Sequence, residues 1–419
     1  HFFTVSTMNC IIQWNLQSLK TKFSELKVIL REYDPICVCL QEILPENYQV
    51  RPPTGYSIEI SNRVRDDGHE RGAAIIVNNK INYEHVPLNT TLQAVAVRVW
   101  LEKWYTVCSI YLPHVPVTKQ SVSHLIDQLD PPFLLLGDMN AHSPIWGGST
   151  RNDRGQVFEE LLLERNISLM NDCLPTHYHL QTGTLSTIDL SICSSDCILD
   201  FNYSVINDLH DSDHYPIRLI LNSDPISTEK PSRFNTDKAD WNLFLQLTET
   251  DININSGNSI DEIVTLIVEK ILHAAEQSIP KTSNNFKKKP VPWWSDDCKS
   301  ALIERRRAER ALKRHYSIEN KIRYNRCRAK CRFTLNLARR LSWKEYISSI
   351  NQQTNLHQVW KKIQKISGKY SCSPTPLLKE NDGTIISSPV EVANKLAKSF
   401  ADVSGDHNYS NQFLQYKVN

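Results

Sequence analysis

Between residues 10 and 221 this chain repeatedly runs through a short apolar stretch and then stops on a polar side chain. Asn15 ends CIIQWN, Glu42 ends ICVCLQE and Tyr111 ends VCSIY. Asp138 and Asn140 end LLLGDMN, Asp189 sits within STIDLSI, and Ser212, Asp213 and His214 open the last run in HDSDHYPI. A short apolar run bounded by turn formers reads as a strand covered on both faces. At 133–136 the run is FLLL, with Pro131 and Pro132 before it and Gly137 after it. One such ending is equally well a turn, which Asp and Asn both favour. Six of them point to one rim, because strand ends on the same side of a sheet stack converge there. The gathered side chains are carboxylates, two amides, a tyrosine and a histidine. Carboxylates with amide oxygens suit a hard cation, Mg2+ or Mn2+, better than zinc.

The rest of the pattern supports a layered α/β domain. Leu19, Phe23, Leu26 and Leu30 carry helical spacing, and residues 117–129 and 156–164 also read as helices. Strands are expected at 73–77, at 95–100 and 104–112 as a hairpin turned at Glu102 and Lys103, at 186–192 and at 214–221. Many strands with interspersed helices predict two packed sheets. The domain is expected over 1–222 and a linker over 223–235. A basic helical region follows over 236–369, with helices at 260–275 and 300–350, and a loop-rich segment with one last helix over 370–419.

Net charge is only +2 over 419 residues, yet residues 281–346 hold 20 Lys or Arg against 6 Asp or Glu, a local +14 that leaves −12 elsewhere. A localised basic patch is the footprint of a polyanion partner, whereas a lone charge run is more often a solvated, salt-bridged helix face. Three readings stand for this segment: contact with nucleic-acid phosphates, with Arg305, Arg306 and Arg307 as candidates; a connector; or, at KKKP (287–290), a nuclear address. The eleven cysteines lack a disulfide-framework spacing, which favours a reducing compartment. Cys193 with Cys197 and Cys327 with Cys331 are spaced as metal pairs, but neither has a second pair at zinc-site spacing. No apolar run is long enough to span a membrane and no secretion signal is evident. The chain opens HFFTVST without Met and reads as a fragment.

In their order, these pieces resemble the exonuclease–endonuclease–phosphatase superfamily, and within it the apurinic-type endonuclease domain of jockey-like non-LTR retrotransposon polyproteins. The matching residues are Trp14-Asn15, Gln41-Glu42, Tyr111 to Pro113, GDMNAH at 137–142, the TIDL strand and SDHYPI at 212–217. The NAH followed by Trp146-Gly147, and PWWSDD at 292–297 ahead of the basic helices, lean to the retrotransposon branch. The resemblance implies a four-layer αββα sandwich followed by a basic helical segment, and a Mg2+-dependent endonuclease that nicks double-stranded DNA in the nucleus. The nick would leave a 3′-hydroxyl primer for a reverse transcriptase beyond this chain, with 370–419 opening the segment before it and element RNA as a further partner.

By the same resemblance, Glu42 would hold the metal with Asn15 and Asp213, and Asp138 would orient or deprotonate water. Asn140 would fix the phosphate, His214 would stabilise its charge with Asp189 orienting it, and Tyr111 would donate to a phosphate oxygen. His142, Thr176 and Ser212 are secondary candidates for DNA contact. Gln17 stands where repair enzymes carry an acid, which leaves one metal contact open. A polymerase Tyr- or Phe-x-Asp-Asp is absent, and SDDC at 295–298 has another context. Taken singly, His142 is a turn histidine, and His69, His177 and His179 are loop residues, the last two near DNA. Trp146, Trp293 and Trp294 read as packing residues. The rival readings are an abasic-site repair nuclease, a phosphodiesterase of the same fold, and a decayed copy that binds nucleic acid without cutting it.

Overall fold

The computed structural model describes residues 9–43, 52–61, 72–113, 116–222, 234–249, 259–281, 293–351, 354–366, 376–380, 382–410 and 413. His69, the KKKP run and all but the last two residues of the expected linker lie outside them. The chain divides into two compact units, one of Ser6–Ile226 with Pro292–Asn419 and one of His1–Val5 with Ser227–Val291.

The first unit begins β1 (Cys10–Asn15), α1 (Leu19–Tyr33), β2 (Cys37–Gln41), β3 (Tyr56–Ile60) and β4 (Ala73–Asn78). Next come β5 (Tyr83–Val86), β6 (Gln93–Trp100), β7 (Trp104–Tyr111), α2 (Lys119–Ile126), β8 (Phe133–Asp138) and α3 (Asp153–Glu164). β9 (Ile167–Leu169), β10 (His177–Tyr178), β11 (Leu185–Ser186), β12 (Asp189–Ser194), β13 (Phe201–Val205) and β14 (Ile217–Leu221) follow, with β10 and β11 forming a separate two-stranded hairpin. Two six-stranded sheets result, ordered β13-β14-β1-β2-β4-β3 and β5-β6-β7-β8-β12-β9. Each contains one parallel pair, β1–β2 and β7–β8, and the crossovers that parallel pairing demands are α1 and α2.

Three apolar clusters define the layers. Ile11, Cys39, Ile75, Val97, Val107 and Leu136 fill the space between the sheets. Ile12, Val38 and Leu40 turn outward against Leu26 and Ile29 of α1, while Cys108 and Leu135 turn outward against Leu125 of α2 and Phe158 of α3. The architecture is therefore a four-layer αββα sandwich. Alternation along buried strands sends neighbours to opposite faces, and both faces are covered, so the strands read as unbroken apolar runs. Gly137 is fixed by β7: a Cβ there would stand 1.8 Å from the Ile110 carbonyl oxygen, where no side chain fits.

β3, β5, β9 and β13 were not legible as strands, and all four are sheet edges. Their burial is partial, so they lack the unbroken apolar signal of the central strands. The helical stretch expected at 300–350 is a pair. In the second unit lie α4 (Trp241–Thr248) and α5 (Ile260–Ser278); α6 (Asp296–Arg314) and α7 (Ile318–Ser348) return to the first. The break between the last two is capped by Ser317, whose side chain accepts from the Asn320 amide. α6 and α7 bury Cys298, Ala301, Leu302, Cys331 and Leu335 against Val28 of α1, and Ala308, Leu312 and Tyr324 against Tyr178, Leu209 and Tyr215. Cys193 and Cys197 lie in the inter-sheet core, so neither cysteine pair of the sequence joins a set of metal donors among the described residues.

Candidate active site

Strand register builds the rim. Tyr111 pairs with Asp138 across β7–β8, and Asp138 pairs with Asp189 across β8–β12, so the three form one row. In the facing sheet Asn15 pairs with Gln41, and Glu42 follows directly. The Asn15 amide joins the sheets, its Nδ2 donating to Asp138 Oδ2 at 2.9 Å and to Glu42 Oε1 at 3.1 Å. Three residues leaving these strands have left-handed backbones: Gln17 at φ 61°, Glu42 at 53° and Asn140 at 49°. For side chains larger than Gly this conformation costs energy that surrounding structure must offset, a strain that collects at functional sites.

His214 occupies the centre. Its Nδ1 is 2.8 Å from Asp189 Oδ2, and its Nε2 faces Asp138 Oδ2 and Asp213 Oδ1, each at 3.8 Å. Burial disfavours the imidazolium, but Asp189, then Asp138 and Asp213, overcome that and push its pKa up to about 10. Burial, with the charge of Asp189, pushes the Asp138 carboxyl up to about 7 against the opposing pull of His214 and Asn15. Burial also acts on Asp213, but hydrogen bonding to His177 and the charge of His214 hold it below its ordinary value. Asp138 Oδ1 accepts from the Asn140 amide at 3.0 Å, and Gln17 Nε2 donates to Asp213 Oδ2 at 2.6 Å. Gln17 thus approaches the Asp213 carboxylate as a donor, where an acid would repel it.

The sequence candidates Asn15, Glu42, Asp138, Asn140, Asp189, Asp213 and His214 meet here, and Tyr111 stands at the row's end with its ring in the inter-sheet core. His142 lies just beyond, its amide donating to Asn152 Oδ1 at 2.9 Å. Thr176 and Ser212 are not DNA contacts, because both are fully buried. Thr176 Oγ1 accepts from the amides of Ile188 and Asp189, and Ser212 Oγ donates to the Asn15 carbonyl at 2.8 Å. Arg305 is likewise withdrawn from DNA: it is 0% exposed, with Nη2 donating to both oxygens of Asp208. Arg306 is held by Asp208 and Glu32. Arg307 is exposed.

Three residues that the sequence reading gave no catalytic role complete the site. Trp14 Nε1 donates to the His214 carbonyl at 3.1 Å. Arg154, in the first turn of α3, donates to the carbonyls of Leu112 and Met139 at 2.7 and 3.1 Å and ties down the chain leaving β7 and β8. His177, in the β10–β11 hairpin, bridges to His214 and lays its ring 4.7 Å from that imidazole. The sequence alone places His177 in a loop near DNA and does not name this partner.

A family model described as "Endonuclease-reverse transcriptase" matches residues 105–218, which takes in Tyr111, Asp138, Asn140, Asp189, Asp213 and His214. The probable RNA-directed DNA polymerase from transposon X-element of Drosophila melanogaster is 23% identical over 386 residues, 89% of this chain and 42% of that protein. The RNA-directed DNA polymerase from mobile element jockey of the same species is 22% identical over 429 residues, 97% of this chain and 45% of its own length. Over residues 105–218 the chain is thus similar to the endonuclease–reverse transcriptase family, and along most of its length to the X-element and jockey polymerases. It spans less than half the length of these two relatives. Among solved structures, the endonuclease domain of TRAS1, a telomere-specific non-LTR retrotransposon, aligns at TM-score 0.44 and 23% identity, over 51% of this chain and 97% of that one.

Proposed function

We propose that this jockey-like domain is a Mg2+-dependent DNA endonuclease that nicks a target strand to leave a 3′-hydroxyl for reverse transcription. The observation that carries the reading is the Asp189–His214–Asp138 line, with Asn15 and Glu42 facing it from the other sheet. The donor set fits a hard cation. Glu42, Asn15 and Asp213 offer oxygens, and Asp213 Oδ1 is buried with no hydrogen-bond partner. Those three residues would hold the ion, which when bound supplies charge to stabilise the phosphate in the transition state.

The chain's own residues account for the rest. Asp138, with a carboxyl poised near neutrality, takes a proton from the attacking water as its oxygen bonds to phosphorus. Asn140 Nδ2 donates to the Leu112 carbonyl at 3.0 Å, which fixes that side chain beside the phosphate. The imidazolium of His214, kept charged by Asp189, directs Nε2 at a non-bridging oxygen and stabilises the charge that develops there. The bond from phosphorus to the 3′ oxygen breaks and that oxygen takes up a proton from solvent, leaving a 5′-phosphate and the 3′-hydroxyl. Exposed Arg307, Arg310, Arg314, Arg323 and Arg326 on α6 and α7 would meet phosphates of the duplex, without base readout. Action in the nucleus and priming of a polymerase domain belong to the same proposal.

The test is a comparison of substrates in Mg2+: intact supercoiled duplex, duplex with one abasic site, and an inositol polyphosphate. Nicking of intact duplex supports the reading. Activity confined to the abasic site makes the chain a repair-type nuclease, and activity confined to the third substrate removes DNA as its target.

A further inference from the structure

We propose that the α6–α7 hairpin is a working part of the catalytic domain, and that Arg305, clamped between Asp208 and Glu25, is a positioning residue that sets the loop carrying Asp213 and His214. The inference rests on the endonuclease reading for its activity readout and on the structure alone for its loop readout.

The loop from 206 to 213 contains two successive left-handed residues, His210 at φ 48° and Asp211 at φ 70°. Neither is glycine, so contacts from outside must hold them. Most of those contacts come from the hairpin. Arg305 Nη2 donates to both Asp208 oxygens at 2.9 and 3.0 Å, and its Nη1 lies 3.0 Å from Glu25 Oε2. Arg306 Nε donates to Asp208 Oδ2 at 2.5 Å, and the Leu209 amide donates to Glu309 Oε1 at 3.1 Å. Asp211 accepts from Arg328 and, at 3.0 Å, from Arg332, with Lys22 of α1 at 3.1 Å. The sandwich supplies Lys22 and His210 to these two carboxylates; the hairpin supplies four arginines.

The grip reaches the catalytic centre through a short chain of neighbours. His210 is fully buried, its Nδ1 3.3 Å from Glu25 Oε2 and its Nε2 3.6 Å from Asp208 Oδ2. Its ring meets the edge of Trp14 at 6.2 Å, and Trp14 holds the His214 carbonyl. Two residues beyond His210, Ser212 is tied to Asn15. A flank released at Asp208 and Asp211 therefore frees the backbone that aims Asp213 and His214. Four of the hairpin's arginines are spent on this docking, and its other arginines and lysines carry the rest of the positive charge.

The test uses the full chain with Arg305→Met, Arg305→Lys and, as control, Lys330→Met, whose ion pair with Glu304 joins α6 to α7 away from the loop. Arg305→Met is expected to lower kcat for plasmid nicking at least tenfold with KM within twofold, and to speed amide exchange over 207–214 at least tenfold while β7 and β8 stay protected. Arg305→Lys recovers part of both, and Lys330→Met changes neither. A folded Arg305→Met chain with wild-type kcat or unchanged loop exchange overturns the proposal. Should Arg305→Met fail to fold, Arg328→Gln with Arg332→Gln must produce the same loop exchange, and unchanged exchange there overturns it. If the wild-type chain does not nick, the endonuclease reading fails and the exchange readout alone decides the clamp.

Discussion

Asp189→Asn isolates the contribution of one oxygen to the proposed chemistry. Asp189 is 1% exposed and His214 is 5% exposed, so water screens their 2.8 Å contact little. A buried charge-assisted hydrogen bond is worth about 1.5–3 kcal/mol, and each 1.36 kcal/mol at the transition state is about tenfold in rate. The amide keeps the shape and an acceptor oxygen but removes the charge that most raises the His214 pKa. Burial then pulls the imidazole toward its neutral form, and the cation facing the phosphate is lost. The expected fall in kcat is roughly 10- to 150-fold, with KM for DNA little changed, because the interaction is made to a group that acts in the transition state. Plasmid nicking under saturating DNA measures kcat, and titration of DNA measures KM. A kcat above half of wild type, in a chain with unchanged thermal unfolding, would refute the reasoning.

Gly137→Ala forces a Cβ to within 1.8 Å of the Ile110 carbonyl and is expected to cost about 3 kcal/mol or more, read as a fall in the urea midpoint. Replacing Arg310, Arg314, Arg323 and Arg326 with Gln is expected to weaken DNA binding and to flatten the plot of log K against log salt by ~1 for each phosphate no longer neutralised, with kcat at saturation retained. The docking of α6–α7 also depends on pH. His210, faced by Glu25, Asp208 and Arg305, is raised from 6.5 despite burial, so its contribution is full below 6.5 and is lost as pH rises through its higher folded value. Asp208 and Glu25 are lowered from 3.8 and 4.5 against burial, by His210 and Arg305 at Asp208 and by Arg305 and His210 at Glu25. Their contribution is present above those values and is lost as pH falls through the folded ones. Calorimetric Tm is therefore expected to decline on the alkaline side of neutrality, and His210→Gln to flatten that limb.

The central strands were legible because both their faces are buried, so each announced itself as an apolar run and its end as a polar stop. The four edge strands lacked that contrast. What the runs could not state was register, and register is what sets Tyr111, Asp138 and Asp189 in one row. The charge count misled at Arg305 because it ignored helical phase. Cys298, Ala301, Leu302, Arg305, Ala308, Glu309 and Leu312 share the buried face of α6, so the arginine stands in an otherwise largely apolar stripe. That stripe was readable, and a cation within it needed a carboxylate partner. The partners, Asp208 and Glu25, lie 97 and 280 residues away along the chain, beyond any local pattern. Thr176 and Ser212 show the same limit, since a polar side chain in a motif can serve backbone amides and carbonyls and never meet a ligand.

The most direct measurement is nicking of supercoiled plasmid by the full chain in Mg2+, beside Asp138→Ala and His214→Ala, with the nicked strand then offered to a DNA polymerase. The account predicts nicks by the wild type that the polymerase extends from a 3′-hydroxyl, none when the ion is chelated, and losses of at least about 10²-fold in each variant. Equal nicking by all three proteins, or nicks that cannot be extended, would contradict it.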